Sequence, residues 1–234
     1  MNKGSFKCYT YKFNMTILNL MAIILFFIIG SLVLVLEYQD SYVIEFNIFN
    51  FFIILFIWLI LHELLHGIGF YLFKEVSKRN ITFGMFLEKG VFYCMCKQEI
   101  GKKIILTSLL FPVTIIGVIT LVVGMIVNSF LLVYLSVFNI VSSIGDIVMI
   151  IYFLRSPNDI IYLDMDDCTS FSVISDKDIS NIGVLGIKLD SIVSYDCNKM
   201  RPADFRKLVI SKGSWVLLIV IFILMVINIV GGLI

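Results

Sequence analysis

Five apolar runs govern what this chain can fold into. They cover roughly Met15 to Leu36, Ile48 to Phe73, Ile104 to Val127, Leu131 to Phe153 and Trp215 to Leu233. At 1.5 Å per residue, each is long enough to cross about 30 Å of hydrocarbon as a helix. A bilayer interior offers no water to backbone amides, so a segment that crosses it must satisfy its own hydrogen bonds. Of the 234 residues 60% are hydrophobic and 15% charged, where soluble domains are nearer half apolar and a quarter charged. The expectation is an all-α polytopic membrane protein with about five transmembrane helices, a cytoplasmic β-hairpin and a small mixed α/β cytoplasmic segment.

The first run follows Lys3, Lys7 and Lys12 but exceeds the length of a signal-peptide core, and "LEYQD" after it offers no small-residue cleavage site, so it reads as a retained anchor. Basic residues crowd the segment after the second run, including Lys74, Lys78, Arg79, Lys97, Lys102 and Lys103, while "EYQDSYVIEFN" before that run has neither Lys nor Arg. The bias places the N-terminus, residues 74 to 103 and, by alternation, residues 155 to 213 in the cytoplasm, with the C-terminus outside. A net charge of +1 gives no basic stripe and no case for nucleic acid. The Ile, Phe, Lys and Asn bias points to a bacterium and its cytoplasmic membrane. All five cysteines, Cys8, Cys94, Cys96, Cys168 and Cys197, then lie on the reducing side, where disulfides are not expected. Cys94 and Cys96 lack the turn of a C-x-x-C site and read as free thiols.

Residues 1–154 form the membrane domain in this reading, residues 155–213 a small cytoplasmic segment, and residues 215–233 a final helix. In "ITFGMFLEKGVFYCMCKQ", β-branched and aromatic residues flank "EKG", which predicts a short hairpin. Few residues around Asn128 separate the third and fourth runs, so these form an antiparallel helical pair, with Pro112 bending the third run or sitting near its first turn. The 155–213 segment holds strand-like pieces "DIIYLD", "TSFSVIS" and "IGVLGIKLDSIVSY". About 60 residues make a marginal independent domain, so it is expected to fold against the helices or a partner. The run Asp164, Asp166, Asp167 and Cys168 lacks calcium-loop spacing and reads as a solvated acidic turn.

His62, Glu63 and His66 spell H-E-x-x-H inside the second run and use both histidines of the chain. On a helix, His62 and His66 lie one turn apart on one face and both imidazoles reach one ion. Glu63, to the side of that face, reaches a metal-bound water without being a ligand. The competing readings are histidines bonded to neighbouring helices, a haem site and coincidence. Haem ligands of bundles come from different helices and would leave Glu63 without a task. Ionisable groups at membrane depth are costly and point to function.

A catalytic zinc takes three protein ligands and leaves one position open. With no third histidine, the remaining ligand is a carboxylate or thiolate. Asp146 is the only acidic residue besides Glu63 inside any run, and counted from the cytoplasmic ends it lies within a turn of the depth of His62 and His66. Asn139, Ser142 and Asp146 share a face of the fourth run. Asn139 with Ser142 or Ser143 could position a substrate backbone, orient a ligand, or bond between helices.

At "HELLHGIGF", "FGMFLEKGVFYCMCKQ" with Pro112, and "FNIVSSIGDI", the chain resembles the bacterial integral-membrane zincin peptidases catalogued as domain of unknown function 3267, similar in motif layout to site-2 proteases. The resemblance covers about half the chain. It implies Zn²⁺ held by His62, His66 and Asp146, with Glu63 as general base. The site-2 pattern has an Asn-Pro-rich stretch ending Asp-Gly, whereas here Ser143, Ile144 and Gly145 precede Asp146 and Ile147 follows it. The expected function is a zinc-dependent membrane-embedded metalloprotease acting on membrane protein or peptide substrates. The alternative is a non-catalytic zinc-bearing membrane scaffold that binds a partner, which Glu63→Gln distinguishes because a scaffold keeps its function.

Overall fold

Segments that enter and leave the apolar helices pair with one another instead of remaining loops. The structure, a computed structural model, describes residues 6–37, 48–86, 91–165 and 169–194. In chain order these form β1 (Lys7–Phe13), α1 (Met15–Glu37), α2 (Ile48–Tyr71), β2 (Ile81–Phe86), β3 (Val91–Cys96), β4 (Ile100–Gly101) and α3 (Lys102–Pro112). A π-helical stretch, Val113–Ile119, continues α3 into α4 (Thr120–Ile126). The rest are α5 (Phe130–Ser142), α6 (Ile144–Arg155), β5 (Ile161–Asp164), β6 (Ser170–Ser175) and β7 (Ile187–Ser194).

Three of the helical stretches are long and apolar enough to cross a membrane: Met15–Leu32, Ile53–Tyr71 and Lys102–Ile126. A fourth crossing results if α5 and α6, bent by 54° at Ser143, count as one. The run at 215–233 lies outside the described residues. On α1, Phe27 and Ile28 are 68% and 59% exposed, an arrangement that suits lipid and not water.

The all-α expectation is overturned: the fold is mixed α/β, with seven strands in two sheets among the described residues. The larger sheet runs β4-β5-β6-β1-β7 with every neighbouring pair antiparallel. Its inner strand β1 is the "KCYTYKF" stretch, whose Lys7 and Lys12 read in sequence only as the positive flank of the first run. Tyr9 and Tyr11, two apart, are both 1% exposed, as the period-2 geometry of a strand requires for residues on one buried face. The predicted hairpin is present as β2 paired with β3, Ile81 opposite Cys96 through Phe86 opposite Val91. Its "EKG" turn lies outside the described residues.

β1 runs into α1, β4 into α3, and β5 follows α6, so one sheet collects the N-terminal ends of α1 and α3 and the C-terminal end of α6. A sheet edge cannot pass through hydrocarbon, so residues 7–13, 100–101, 161–164, 170–175 and 187–194 lie on one side of any membrane these helices cross. The core sits where sheet meets helix ends: Tyr11, Tyr162 and Phe171 pack with Phe70, Tyr152 and Phe153. Strands on both sides of residue 155 therefore share one core, which is how the short strands β5, β6 and β7 find enough apolar surface to bury.

α4 and α5 form the expected antiparallel pair. Asn128 takes φ 52° and the Ser129 amide donates back to Gly124 O at 2.8 Å, the left-handed helix ending that a single Asn or Gly permits. Pro112 lies at the end of α3, well inside the helical run and not near its first turn.

Candidate metal centre

The second apolar run is helical from Ile48 to Tyr71, so His62 and His66 stand one turn apart on α2, both buried at 7% exposure. Two main-chain features fix their rings. Gly69 lets α3 approach so closely that a Cβ there would lie 2.6 Å from Ser108 Cα. At that range Ser108 Oγ donates to His66 O at 3.0 Å, and Ser108 O accepts from His66 Nδ1 at 3.0 Å. A carbonyl only accepts, so His66 carries a proton on Nδ1, and in the neutral imidazole its Nε2 presents a lone pair.

His62 is held from α5. Asn139, buried at 2% exposure, donates through Nδ2 to Pro112 O at 3.1 Å. Its Oδ1 is thereby turned to His62 and accepts from Nδ1–H at 2.9 Å. The π-helical stretch begins directly after Pro112, where the helix ladder changes register, a disturbance common beside functional groups. His62 Nε2 therefore also presents a lone pair.

Asp146 arrives from the bend. The hydroxyls of Ser142 and Ser143 both donate to Asn139 O, at 3.0 and 2.6 Å, closing α5. The chain restarts as α6 with Asp146 in its first turn, where the helix dipole favours a carboxylate. Asp146 Oδ2 lies 3.1 Å from His62 Nε2 and 3.5 Å from His66 Nε2, and the two Nε2 atoms are 3.1 Å apart. Four-coordinate zinc with bonds of about 2.0–2.1 Å sets neighbouring donor atoms about 3.3–3.4 Å apart. The three atoms match that triangle to within a few tenths of an ångström. With both imidazoles neutral and protonated on Nδ1, the three converging atoms are all acceptors, a donor set that fits zinc by chemistry as well as by spacing.

Among the described residues, His62, Glu63 and His66 also form a cluster able to hold a metal, their ligand atoms all within 4.8 Å. The Glu63 carboxyl lies beside the backbone amide of Cys94. That amide belongs to the outward edge of β3. Lys97 N–H donates to Asn80 O on the β2 side at 2.7 Å, so the antiparallel ladder turns the amides of Cys94 and Cys96 away from β2. Cys96 N–H indeed reaches Asp164 Oδ2 at 2.8 Å, and the Tyr162 hydroxyl donates to Asp164 Oδ1.

A cavity of ≈ 170 Å³ adjoins the cluster, and Glu63, His66, Asp146, Cys94 and Asp164 are among its lining residues. Burial pushes the Asp164 carboxyl up to about 6. Asp164 is thus no part of a solvated acidic turn; Asp166, Asp167 and Cys168 lie outside the described residues. Burial, with the charges of Glu63 and Asp164 adding to it, raises the Cys94 thiol, and burial pushes Cys96 up to about 11. Cys8, Cys94 and Cys96 are free thiols, as expected.

The structure brings together His62, His66, Glu63, Asp146 and Asn139. Ser142 and Ser143 spend their hydroxyl protons on their own helix. Sequence reasoning missed Ser108, Pro112 O and Asp164. Ser108 was visible as one of two small polar residues, with Thr107, in "ILTSLLFP", but the acting group of Pro112 is a main-chain carbonyl with no sequence signal.

An H-E-x-x-H helix whose histidines meet a carboxylate from a second helix is a cluster that could hold a metal ion. Residues 54–161 are similar to the family model DUF3267, described as putative zincin peptidase. The match takes in every residue of the centre and ends as β5 begins, leaving β1, β6, β7 and Asp164 outside it. No curated protein and no solved structure matches the chain.

Proposed function

We propose that the chain is a zinc-dependent metalloprotease embedded in a bacterial cytoplasmic membrane, cutting peptide bonds of membrane or membrane-edge substrates. The observation that carries this reading is the meeting of His62 Nε2, His66 Nε2 and Asp146 Oδ2 at tetrahedral spacing, with both imidazole Nδ1 protons committed elsewhere. His62, His66 and Asp146 hold the metal, and Asn139 and Ser108 O fix the imidazoles in the tautomer that binds it. Zinc in this position supplies polarisation of a peptide carbonyl and acidifies a water toward neutral pH.

Glu63 takes the proton of the attacking water and returns it to the leaving amine, which needs one carboxylate that is near the ligands but not one of them. A helical peptide bond is shielded by its own hydrogen bonds, so a substrate must be extended where it is cut. The outward edge of β3, with the Cys94 amide beside Glu63, offers that segment a strand to pair with. The depth of the centre, about 8 to 14 Å from the Tyr71 end of α2 at 1.5 Å per residue, supports cleavage near the membrane face that carries the sheet. The basic residues of 74 to 103 support assigning that face to the cytoplasm.

The test is wild type and Glu63→Gln reconstituted in vesicles with a mixture of single-span peptides, read by mass spectrometry for new termini. New termini in wild type alone, with zinc retained by both proteins, support the protease. Function that survives in Glu63→Gln points instead to the scaffold.

A further inference from the structure

We propose that the cavity beside the metal centre is a substrate side-chain pocket, and that Asp164 makes it select a basic residue, lysine or arginine, adjacent to the bond that is cut. This rests on the zinc-peptidase reading and names its substrate class. Most of the wall is apolar, with Phe70, Tyr93, Ile105, Leu109, Met149 and Tyr162 among its residues. Its ≈ 170 Å³ suits one long side chain and excludes an intact helix. An apolar stem could lie along this wall as lysine and arginine stems do elsewhere.

The charges give the direction. Glu63, Asp146 and Asp164 line the cavity together, and neither Lys nor Arg is among its described lining residues. Asp146 is committed to the two histidines and the metal, and Glu63 to the proton transfer. Asp164 has no role in either. The Cys96 amide and the Tyr162 hydroxyl fix its orientation, but both donors are neutral, and no Lys or Arg among the described lining residues pairs with its charge. A carboxylate offers about four lone-pair sites, so two remain for a guest. The cost of holding this group ionised is already visible in its upward displacement to about 6, and a cation in the pocket relieves it.

The experiment uses zinc-loaded full-length protein in detergent and two probes, the hydroxamates of Nα-acetylated lysine and Nα-acetylated norleucine. Both anchor on the metal, and they differ only in the terminal ammonium. Wild type is expected to bind the lysine compound about tenfold or more tightly, the scale of one charge-assisted contact. Asp164→Asn, which keeps an acceptor for Cys96, is expected to lose that preference while holding the norleucine compound as before; Asp164→Glu is expected to retain it. Equal affinities in wild type, or a preference that survives Asp164→Asn, overturn the pocket assignment. If Asp164→Asn loses both compounds while Asp164→Glu binds both equally, Asp164 serves the fold alone and the proposal is overturned. If neither compound binds wild type in a zinc-dependent way, the zinc reading beneath it fails instead.

Discussion

Asn139→Ala separates a metal centre from a mere cluster of buried polar groups. The side chain is 2% exposed, accepts from His62 Nδ1 at 2.9 Å and donates to Pro112 O at 3.1 Å. Its removal leaves the His62 ring free to turn or to move its proton to Nε2, where the proton would face Asp146 and exclude a cation. Loss of such a ligand-orienting contact typically weakens metal binding about 10- to 100-fold, equivalent to about 1.4–2.7 kcal/mol. Orphaning a buried carbonyl costs about 1–3 kcal/mol of stability, so Tm falls as well. The assay is zinc competition against a chromophoric chelator in detergent, with circular dichroism as the control for folding. Asn139→Asp keeps an acceptor for His62 and is expected to hold zinc better than Asn139→Ala. A folded Asn139→Ala with wild-type zinc affinity would refute the claim that Asn139 sets the tautomer of His62.

Gly69→Ala puts a methyl 2.6 Å from Ser108 Cα, a backbone contact that must yield, and should cost about 1–3 kcal/mol, read as a lower Tm together with weaker zinc binding. For Asp164, the folded group, at about 6, lies above its ordinary 3.8, so folding opposes its ionisation. The resulting penalty is absent below about 3.8, grows as pH rises and is complete above about 6. Asp164→Asn should therefore lose less Tm than wild type between pH 4 and pH 7; an identical loss in both proteins would contradict the buried assignment. Cys94 and Cys96, both raised by burial, should react slowly with iodoacetamide at pH 8 and rapidly after unfolding, measured by mass spectrometry; fast labelling of the folded protein would place β3 in water.

The centre was legible because ionisable residues stand out in an apolar helix: two histidines, Glu63 and Asp146 had nothing else to do at that depth. The hairpin was legible from its alternation and its turn residues. The large sheet was not, since β1 acquires partners only about 160 residues later, as Lys7 opposite Ser175 shows, and no local pattern encodes such pairing. Lysines that orient a helix in a membrane look the same as lysines at the ends of a strand. The bend at Ser143 was hidden for a related reason, because Ser142 and Ser143 look like a polar face until their hydroxyls are seen to close α5 on Asn139 O. Asp164 looked solvated beside Asp166 and Asp167 because sequence proximity says nothing of which strand end turns inward.

Zinc per protein, measured by elemental mass spectrometry on detergent-purified wild type, His66→Ala, Asp146→Ala and Glu63→Gln, tests the central claim most directly. The account predicts close to one zinc in wild type and Glu63→Gln and its loss from the other two. A folded wild type without zinc, or zinc undiminished in Asp146→Ala, would contradict it.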